Sequence, residues 1–326
     1  MEALPGVTDK MRRGLALQVA LDRAGFSPGE IDGAPGLNTE RAMTAYKAAT
    51  GSTELKDGYT DPVVPYTVSP EDAAGPFIET IPSDMMDKSK LPSLAYTSVL
   101  ELLGERFHAS PKLLQKLNPD ARFAAGDVIR VPNVEPFFAP GPKPTAAPTD
   151  AARATAGAPA AATASPDATR GGAATTRSGS EGSGAVKAAA GDLTITVTDR
   201  TKTLEVTDAS GAVVFHAPVT VGSKNDPLPV GEWKVNGVSR NPKFNYNPKL
   251  FWDADPTHAK ASIPGGPNNP VGVTWIDLSK EHYGIHGTPE PGRIGYSESH
   301  GCIRLTNWDA MRLAAMVSPG TKVVLR

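Results

Sequence analysis

The chain of 326 residues has a single cysteine, Cys302. One thiol excludes an internal disulfide, and leaves two roles open: a small buried apolar side chain or a reactive group. Apolar runs are short, and none approaches the roughly 20 residues that a membrane-crossing helix needs. Neither sign of charge dominates, because 33 Lys and Arg face 35 Asp and Glu for a formal net charge of -2. That balance excludes the basic field by which nucleic-acid binders attract their partners. Large apolar side chains are nearly absent from residues 136–191 after Phe137-Phe138, where Ala, Pro, Gly, Thr and Ser prevail. Such a stretch cannot bury enough surface to offset the entropy of ordering. It reads as a disordered linker, with a mean span of roughly 40 Å and an extended reach of about 180 Å. A tether of that reach would let a C-terminal domain search a polymer while N-terminal units stay docked on it.

What is present divides into three further segments, within a length that accommodates two or three domains. Met11-Arg12-Arg13 followed by Gly14 to Leu21 has a superficial likeness to an export leader. The apolar run is short and meets Asp22 and Arg23, so an amphipathic helix is the reading. Residues 10–52 carry Leu17, Leu21 and Ala24 on one helical face, a break at Gly25-Phe26, and turn chemistry at Gly29 to Gly33. Asn38 or Thr39 is placed to cap a second helix through Ala42, Met43 and Tyr46.

Residues 63–134 begin with a short strand, Tyr66-Thr67-Val68, followed by a polar insertion from about Glu71 to Leu94. Leu100, Leu103 and Phe107 suggest one helix and Leu113, Leu114 and Leu117 another. Val128 to Pro132 closes the unit as a strand. The first unit resembles the small helical peptidoglycan-binding domain, through Leu17-Gln18, Leu21, Gly25-Phe26, Ile31-Asp32-Gly33, Thr39 and Tyr46. The second resembles a LysM domain, a βααβ glycan-binding module, through Tyr66, Leu113-Leu114, Asn118-Pro119, Gly126-Asp127 and Val131-Pro132. It departs from that family in the insertion. A generic helical cap and a spacer domain are the plainer alternatives for the two units.

Residues 192–326 read as mostly β. Leu193, Ile195 and Val197 alternate with polar neighbours, as do Leu204 and Val206, then Val219 and Val221. Asp208 to Gly211 is a hairpin turn. Asn307 to Val317 is a short helix capped by Thr306 or Asn307, and Gly320 to Leu325 is a closing strand.

Tyr283 to Leu305 gathers the chemistry. It holds Cys302, two of the six histidines (His286 and His300) and several glycines. A thiol becomes a strong nucleophile as its thiolate, and a neighbouring imidazole can take its proton and hold an ion pair. Gly284-Ile285-His286-Gly287 reads as a strand end that can lie beside the segment bearing Cys302. His300 and Arg304 each lie two residues from Cys302, so an extended chain puts all three on one face. Arg304 there would attract a substrate carboxylate. Gly301 allows a bend that aims backbone amides at an oxyanion. Three other readings stand beside this one: a buried core cysteine, structural histidines, and a zinc site of His286, His300 and Cys302. The zinc site lacks the usual four ligands and paired spacing.

The motif His286-Gly287-Thr288 with Ser299-His300-Gly301-Cys302-Ile303-Arg304-Leu305 resembles the signature of the L,D-transpeptidase, or YkuD, catalytic domain. The likeness extends from about Leu193 to Arg326 and includes Pro229-Val230-Gly231 and Gly266 to Gly272. It implies a multidomain α+β chain in which the two N-terminal modules and the linker precede a mostly-β YkuD-type domain with a short helix after the nucleophile. It implies that Cys302 is the nucleophile and His286 the base, oriented by the Gly287 carbonyl. His300 and Gly301 would shape the site, with Ser299 and Arg304 on the substrate side. No cofactor or metal is implied. The partners would be peptidoglycan stem peptides and glycan strands, with a protein lysine or water as alternative acceptors. The location would be periplasmic or otherwise extracytoplasmic.

Overall fold

The computed structural model describes residues 7–55, 61–140 and 193–326. Of the expected linker, 136–191, residues 141–191 lie outside the described residues. Helix α1 (Asp9–Arg23) starts where the Thr8 hydroxyl accepts the Met11 amide, with Asp9 in the first turn and Arg23 in the last, both favourable to the helix dipole. Helix α2 (Leu37–Thr50) follows Gly36, which offers no side-chain cap. The two expected caps are engaged elsewhere: Asn38 Nδ2 donates to the Ile294 carbonyl at 2.8 Å and Thr39 Oγ1 accepts from Gln18. Tertiary partners have taken the polar groups that local sequence assigned to the helix end.

Strand β1 (Val63–Thr67) pairs antiparallel with β2 (Val128–Pro132), setting Tyr66 opposite Ile129. Between them the insertion carries two short helices, α3 (Pro70–Ala74) and α4 (Met85–Lys88), and the helical pair α5 (Val99–Arg106) and α6 (Pro111–Leu117) follows. Leu103, Phe107, Leu113, Leu114, Leu117 and Ile129 are buried in a core that also takes Leu15, Val19 and Ile31 from the first helical unit. The two N-terminal segments therefore share one interior. Each such side chain contributes about 1.5–3 kcal/mol by leaving water.

The C-terminal region contains strands β3 (Thr194–Thr198), β4 (Thr203–Thr207), β5 (Val213–Pro218), β6 (Gly231–Arg240), β7 (Phe244–Tyr246), β8 (Ala261–Ile263), β9 (Thr274–Leu278), β10 (Gly284–His286), β11 (Ile303–Arg304) and β12 (Lys322–Leu325). Helix α7 (Asn307–Met316) lies between the last two. Eight strands form one sheet in the order β11-β10-β9-β6-β12-β3-β4-β5, and β7 and β8 form a separate pair. The contacts β12–β3 and β10–β11 are parallel and the rest antiparallel. Apolar residues of the strands pack with Ala310, Leu313 and Ala314 of α7. Val219 and Val221, expected within a strand, lie just beyond β5. Both are fully buried, and Thr220 between them exchanges two backbone hydrogen bonds with Arg304, at 3.0 and 2.8 Å. Their alternation reports burial at the sheet edge rather than a longer ladder.

The tethered search inferred from the linker does not match the packing, because the N-terminal segments lie directly against the C-terminal sheet and α7. Ser27 donates to Asp309 at 2.8 Å in a buried contact, and the backbones of Ser27 and Gly25 bond both sides of His216. Asp22 is fully buried and receives Arg312 through two bonds, at 3.1 and 2.8 Å, with His108 Nδ1 at 3.1 Å. The His108 ring stacks on Trp308 at 5.0 Å. Burial alone raises the Asp22 pKa, but Arg312 and His108 outweigh it, and the carboxylate sits well below its ordinary range. The insertion docks as well: Leu94 packs with Tyr246 and Ile263, and the Asp84 carboxylate meets His258 Nε2 at 2.8 Å. No helix among the described residues is long and apolar enough to cross a membrane.

Candidate active site

Parallel pairing of β10 with β11 sets Ile285 beside Ile303 and His286 beside Arg304. Both isoleucines are fully buried in the core, so His286 and Arg304 turn to the opposite face of the sheet. Continuing the register by one residue brings Cys302 beside Gly284, diagonal to His286 on that same face. Diagonal neighbours of this kind stand roughly 7–8 Å apart, within reach of an imidazole. The glycine at 284 is needed there, since a Cβ on it would fall 2.4 Å from the Trp275 ring.

His286 is 3 % exposed. Its Nδ1 donates to the Gly287 carbonyl at 2.7 Å, which leaves Nε2 as the nitrogen with a lone pair. The Trp275 ring, its register partner on β9, stacks on it at 5.4 Å and 16°. Burial, aided by the Arg304 charge, lowers the His286 pKa to about 3. Cys302 is partly exposed, and its thiol donates to the His282 carbonyl at 3.8 Å. Burial raises the thiol pKa, with the Gly284 amide and Arg304 pulling weakly the other way. The resting pair is therefore a thiol and a neutral imidazole rather than the ion pair that the sequence suggested. Low polarity around both groups penalises the charged forms. Transfer of the thiol proton to the imidazole would therefore accompany attack of sulfur on an electrophile rather than precede it.

The remaining motif residues separate into two groups. Arg304 stays on the Cys302 face, and its Nε is buried with no hydrogen-bond partner among the described residues. Burial lowers its pKa while the Cys302 and Glu290 charges oppose that. Ser299 is buried, and its hydroxyl donates to the Cys302 carbonyl at 2.6 Å, so it braces the backbone of the nucleophile rather than facing solvent. His300 has its own partners. The chain bends at His300-Gly301, with Gly301 at φ 97°, and the extended geometry that would align residues 300 and 302 is lost. The His300 ring instead lies edge-on to Phe251 at 5.1 Å with Nε2 2.8 Å from Asp253. Gly301 is also where a Cβ would strike the Tyr283 ring at 2.7 Å. Among the described residues no cluster of three or more His, Cys, Asp or Glu could hold a metal.

Trp275, Asp253 and Glu105 belong to this neighbourhood and were not singled out from sequence, and Asn307 was marked only as a candidate helix cap, a place that Thr306 takes. The motif gives no signal for them, because each arrives from a different element.

The thiol of Cys302 and the imidazole of His286 thus share one face at the rim of the sheet, and a thiol with a proton acceptor in its neighbourhood is a candidate nucleophile. The family model for the YkuD L,D-transpeptidase catalytic domain matches residues 193–325. YkuD of Bacillus subtilis, named as an L,D-transpeptidase, is 33% identical over 133 residues, covering 41% of this chain and 64% of that protein. YqjB of the same organism, also named as an L,D-transpeptidase, is 31% identical over 141 residues, covering 41% of this chain and 72% of that protein. YkuD of Bacillus licheniformis is 39% identical over 32% of this chain and 49% of its own length. The chain thus spans 64% and 49% of the two YkuD proteins. A solved L,D-transpeptidase from Mycobacterium smegmatis superposes with a TM-score of 0.34 at 21% identity, covering 41% of this chain and 58% of that one. The chain belongs to the YkuD family of L,D-transpeptidases.

Proposed function

We propose that this protein remodels peptidoglycan as an L,D-transpeptidase, with Cys302 as nucleophile and His286 as proton shuttle. The Cys302 sulfur attacks the carbonyl of the third residue of a tetrapeptide stem while His286 Nε2 accepts the thiol proton. The tetrahedral intermediate collapses, the C–N bond to the terminal D-Ala breaks, and the imidazolium returns its proton to the departing amine. An amine of a second stem then attacks the thioester, giving its proton to His286, and sulfur leaves as thiolate to be reprotonated. The product is a 3→3 crosslink. Backbone amides near Gly301 and Cys302 stabilise the oxyanion, and Arg304 attracts a substrate carboxylate. The observation that carries this reading is the His286 Nδ1–Gly287 bond, which fixes the tautomer with Nε2 as base on the face shared with Cys302. The helical unit 10–52 and the LysM-like unit 63–134 face the glycan strands, and the protein works outside the cytoplasm. Incubation with tetrapeptide muropeptides, followed by mass spectrometry, tests the proposal. Crosslinked dimers with loss of D-Ala are expected, and tripeptide alone, with no dimer even when an amine is added, would remove the crosslinking step.

A further inference from the structure

Asn307, the first residue of α7, is fully buried. Its Oδ1 accepts the Val273 amide at 3.2 Å, and its Nδ2 donates to the Pro267 carbonyl at 3.2 Å and to Glu105 Oε1 at 2.6 Å. The same Oδ1 sits hard against two loops that flank the site. A Cβ on Gly287 would stand 2.1 Å from it, and one on Gly272 2.0 Å. Gly287 is the residue whose carbonyl holds His286 Nδ1. The side-chain amide of Asn307 is therefore the backing of the peptide that sets the imidazole tautomer.

Three groups set which way that amide faces: the Val273 N–H takes Oδ1 as its acceptor, and the Pro267 carbonyl and Glu105 Oε1 both take Nδ2. Glu105 comes from α5, outside the residues matched by the YkuD family model. It is 7 % exposed, and its second oxygen accepts the Tyr96 hydroxyl at 2.7 Å. A buried carboxyl with both oxygens occupied by donors from two segments is a fixed strut.

We propose that Glu105 is a positioning residue for His286, acting through Asn307 and Gly287, so that the N-terminal segment forms part of the catalytic machinery. This rests on the reading of Cys302 and His286 as nucleophile and base. With the Glu105 carboxyl withdrawn, Nδ2 loses its short partner, the amide is held by Val273 and Pro267 alone and settles away from its place, the Gly287 peptide it backs shifts, and His286 gains freedom to carry its proton on Nε2. In that tautomer it cannot take the thiol proton.

The test uses the full chain, with the single-turnover rate of acylation by a carbapenem read by intact mass and the His286 tautomer read by nitrogen NMR. Glu105→Asp draws the carboxyl back by one methylene. The expected result is a folded protein, acylation slower by about 10²-fold as for a misplacement near 1 Å, and a rise in the Nε2–H form. Glu105→Gln, which keeps the shape and both partners, should recover the rate to within about threefold of wild type. Asn307→Ala should match Glu105→Asp from the other side of the contact, and it carries the test if Glu105→Asp does not fold. Ser27→Ala, which weakens a docking contact on the first turn of α7 but removes none of the contacts among Glu105, Asn307 and Gly287, should lower Tm and leave rate and tautomer alone. A folded Glu105→Asp, or Asn307→Ala in its place, with wild-type rate and tautomer overturns the proposal. So does a Ser27→Ala protein slowed in the same proportion to its loss of stability. If the wild type itself is never acylated, it is the acyl-transfer reading that fails, while the tautomer still reports on Glu105.

Discussion

The sheet rim at β10–β11 and the buried seam between the N-terminal segments and α7 are built on opposite terms. At the seam, the enclosed charges are mostly answered: Asp22 has Arg312 and His108, and Asp309 Oδ2 accepts from Ser27 and Thr306 while its Oδ1 has no hydrogen-bond partner among the described residues. At the rim, the enclosed polar groups meet backbone carbonyls and no opposite charge: His286 donates to Gly287 and the Cys302 thiol to His282. The His286 pKa is pushed well below its usual range, the Cys302 thiol is pushed up, and Arg304 Nε has no hydrogen-bond partner among the described residues. Groups with no opposite charge beside them stay neutral and free to exchange a proton, whereas ion-paired ones hold elements together. The difference teaches that chemistry and docking are separable functions of the same polar residue types, and that they meet at Asn307.

That contrast can be broken at either end. The largest effect is expected at the rim. His286→Gln should slow acylation by about 10²–10⁴-fold, the usual contribution of a general base, while urea unfolding shows little change. Equal losses in both would mean that His286 is structural. At the seam, Asp22→Ala leaves Arg312 and His108 buried without their carboxylate, and should cost about 3–5 kcal/mol. A midpoint in urea within error of wild type would show that the seam is dispensable. Gly287→Ala lies between the two regions. Its Cβ would meet Asn307 Oδ1, so about 1–3 kcal/mol of overpacking should appear together with slowed acylation, and a loss of stability alone would uncouple Asn307 from the site.

Dependence on pH sharpens the contrast further. Burial raises the folded-state pKa of Glu105 to about 8 and, against the pull of Arg312, that of Asp309 to about 6. The folded protein keeps these protons after the unfolded chain has lost them, so stability falls as pH rises from about 4.5 to 8 through Glu105, and from about 4 to 6 through Asp309. Asp22, with its lowered pKa, acts in the opposite sense at lower pH. Glu105→Gln should flatten the decline between pH 5 and 8, as read by urea titration at both values. An unchanged slope would show that Glu105 ionises freely. The smallest effect is expected from Asp84→Asn, which removes an exposed partner of His258 and should leave Tm nearly unmoved.

Much of this was legible in the sequence, and unevenly so. The strands at Leu193 to Val197 and Leu204 to Val206 followed from alternation, and α7 from a Thr306 cap ahead of an apolar stripe. The motif drew the eye to Cys302 and His286 because glycines, histidines and one thiol crowd into a short stretch. Spacing puts His300 and Cys302 on one face only where the chain is extended, and Gly301 bends it, so the His300 ring meets Phe251 and Asp253. Asn38 and Thr39 looked like caps because local rules cannot see Ile294 or Gln18. Glu105 was invisible for the same reason: it meets Asn307 across 202 positions of sequence. The linker composition suggested independent modules, and nothing local in Asp22, Ser27 or Leu94 announces the partners they find.

The central claim is that Cys302 holds an acyl group and that the neutral imidazole of His286 is what makes it able to. Intact-mass analysis of the full chain after exposure to a carbapenem, with peptide mapping, tests this most directly. One adduct per chain on Cys302, absent in Cys302→Ala and slowed by orders of magnitude in His286→Gln, is the predicted result. An unmodified Cys302, or an adduct that forms equally fast without His286, would contradict it.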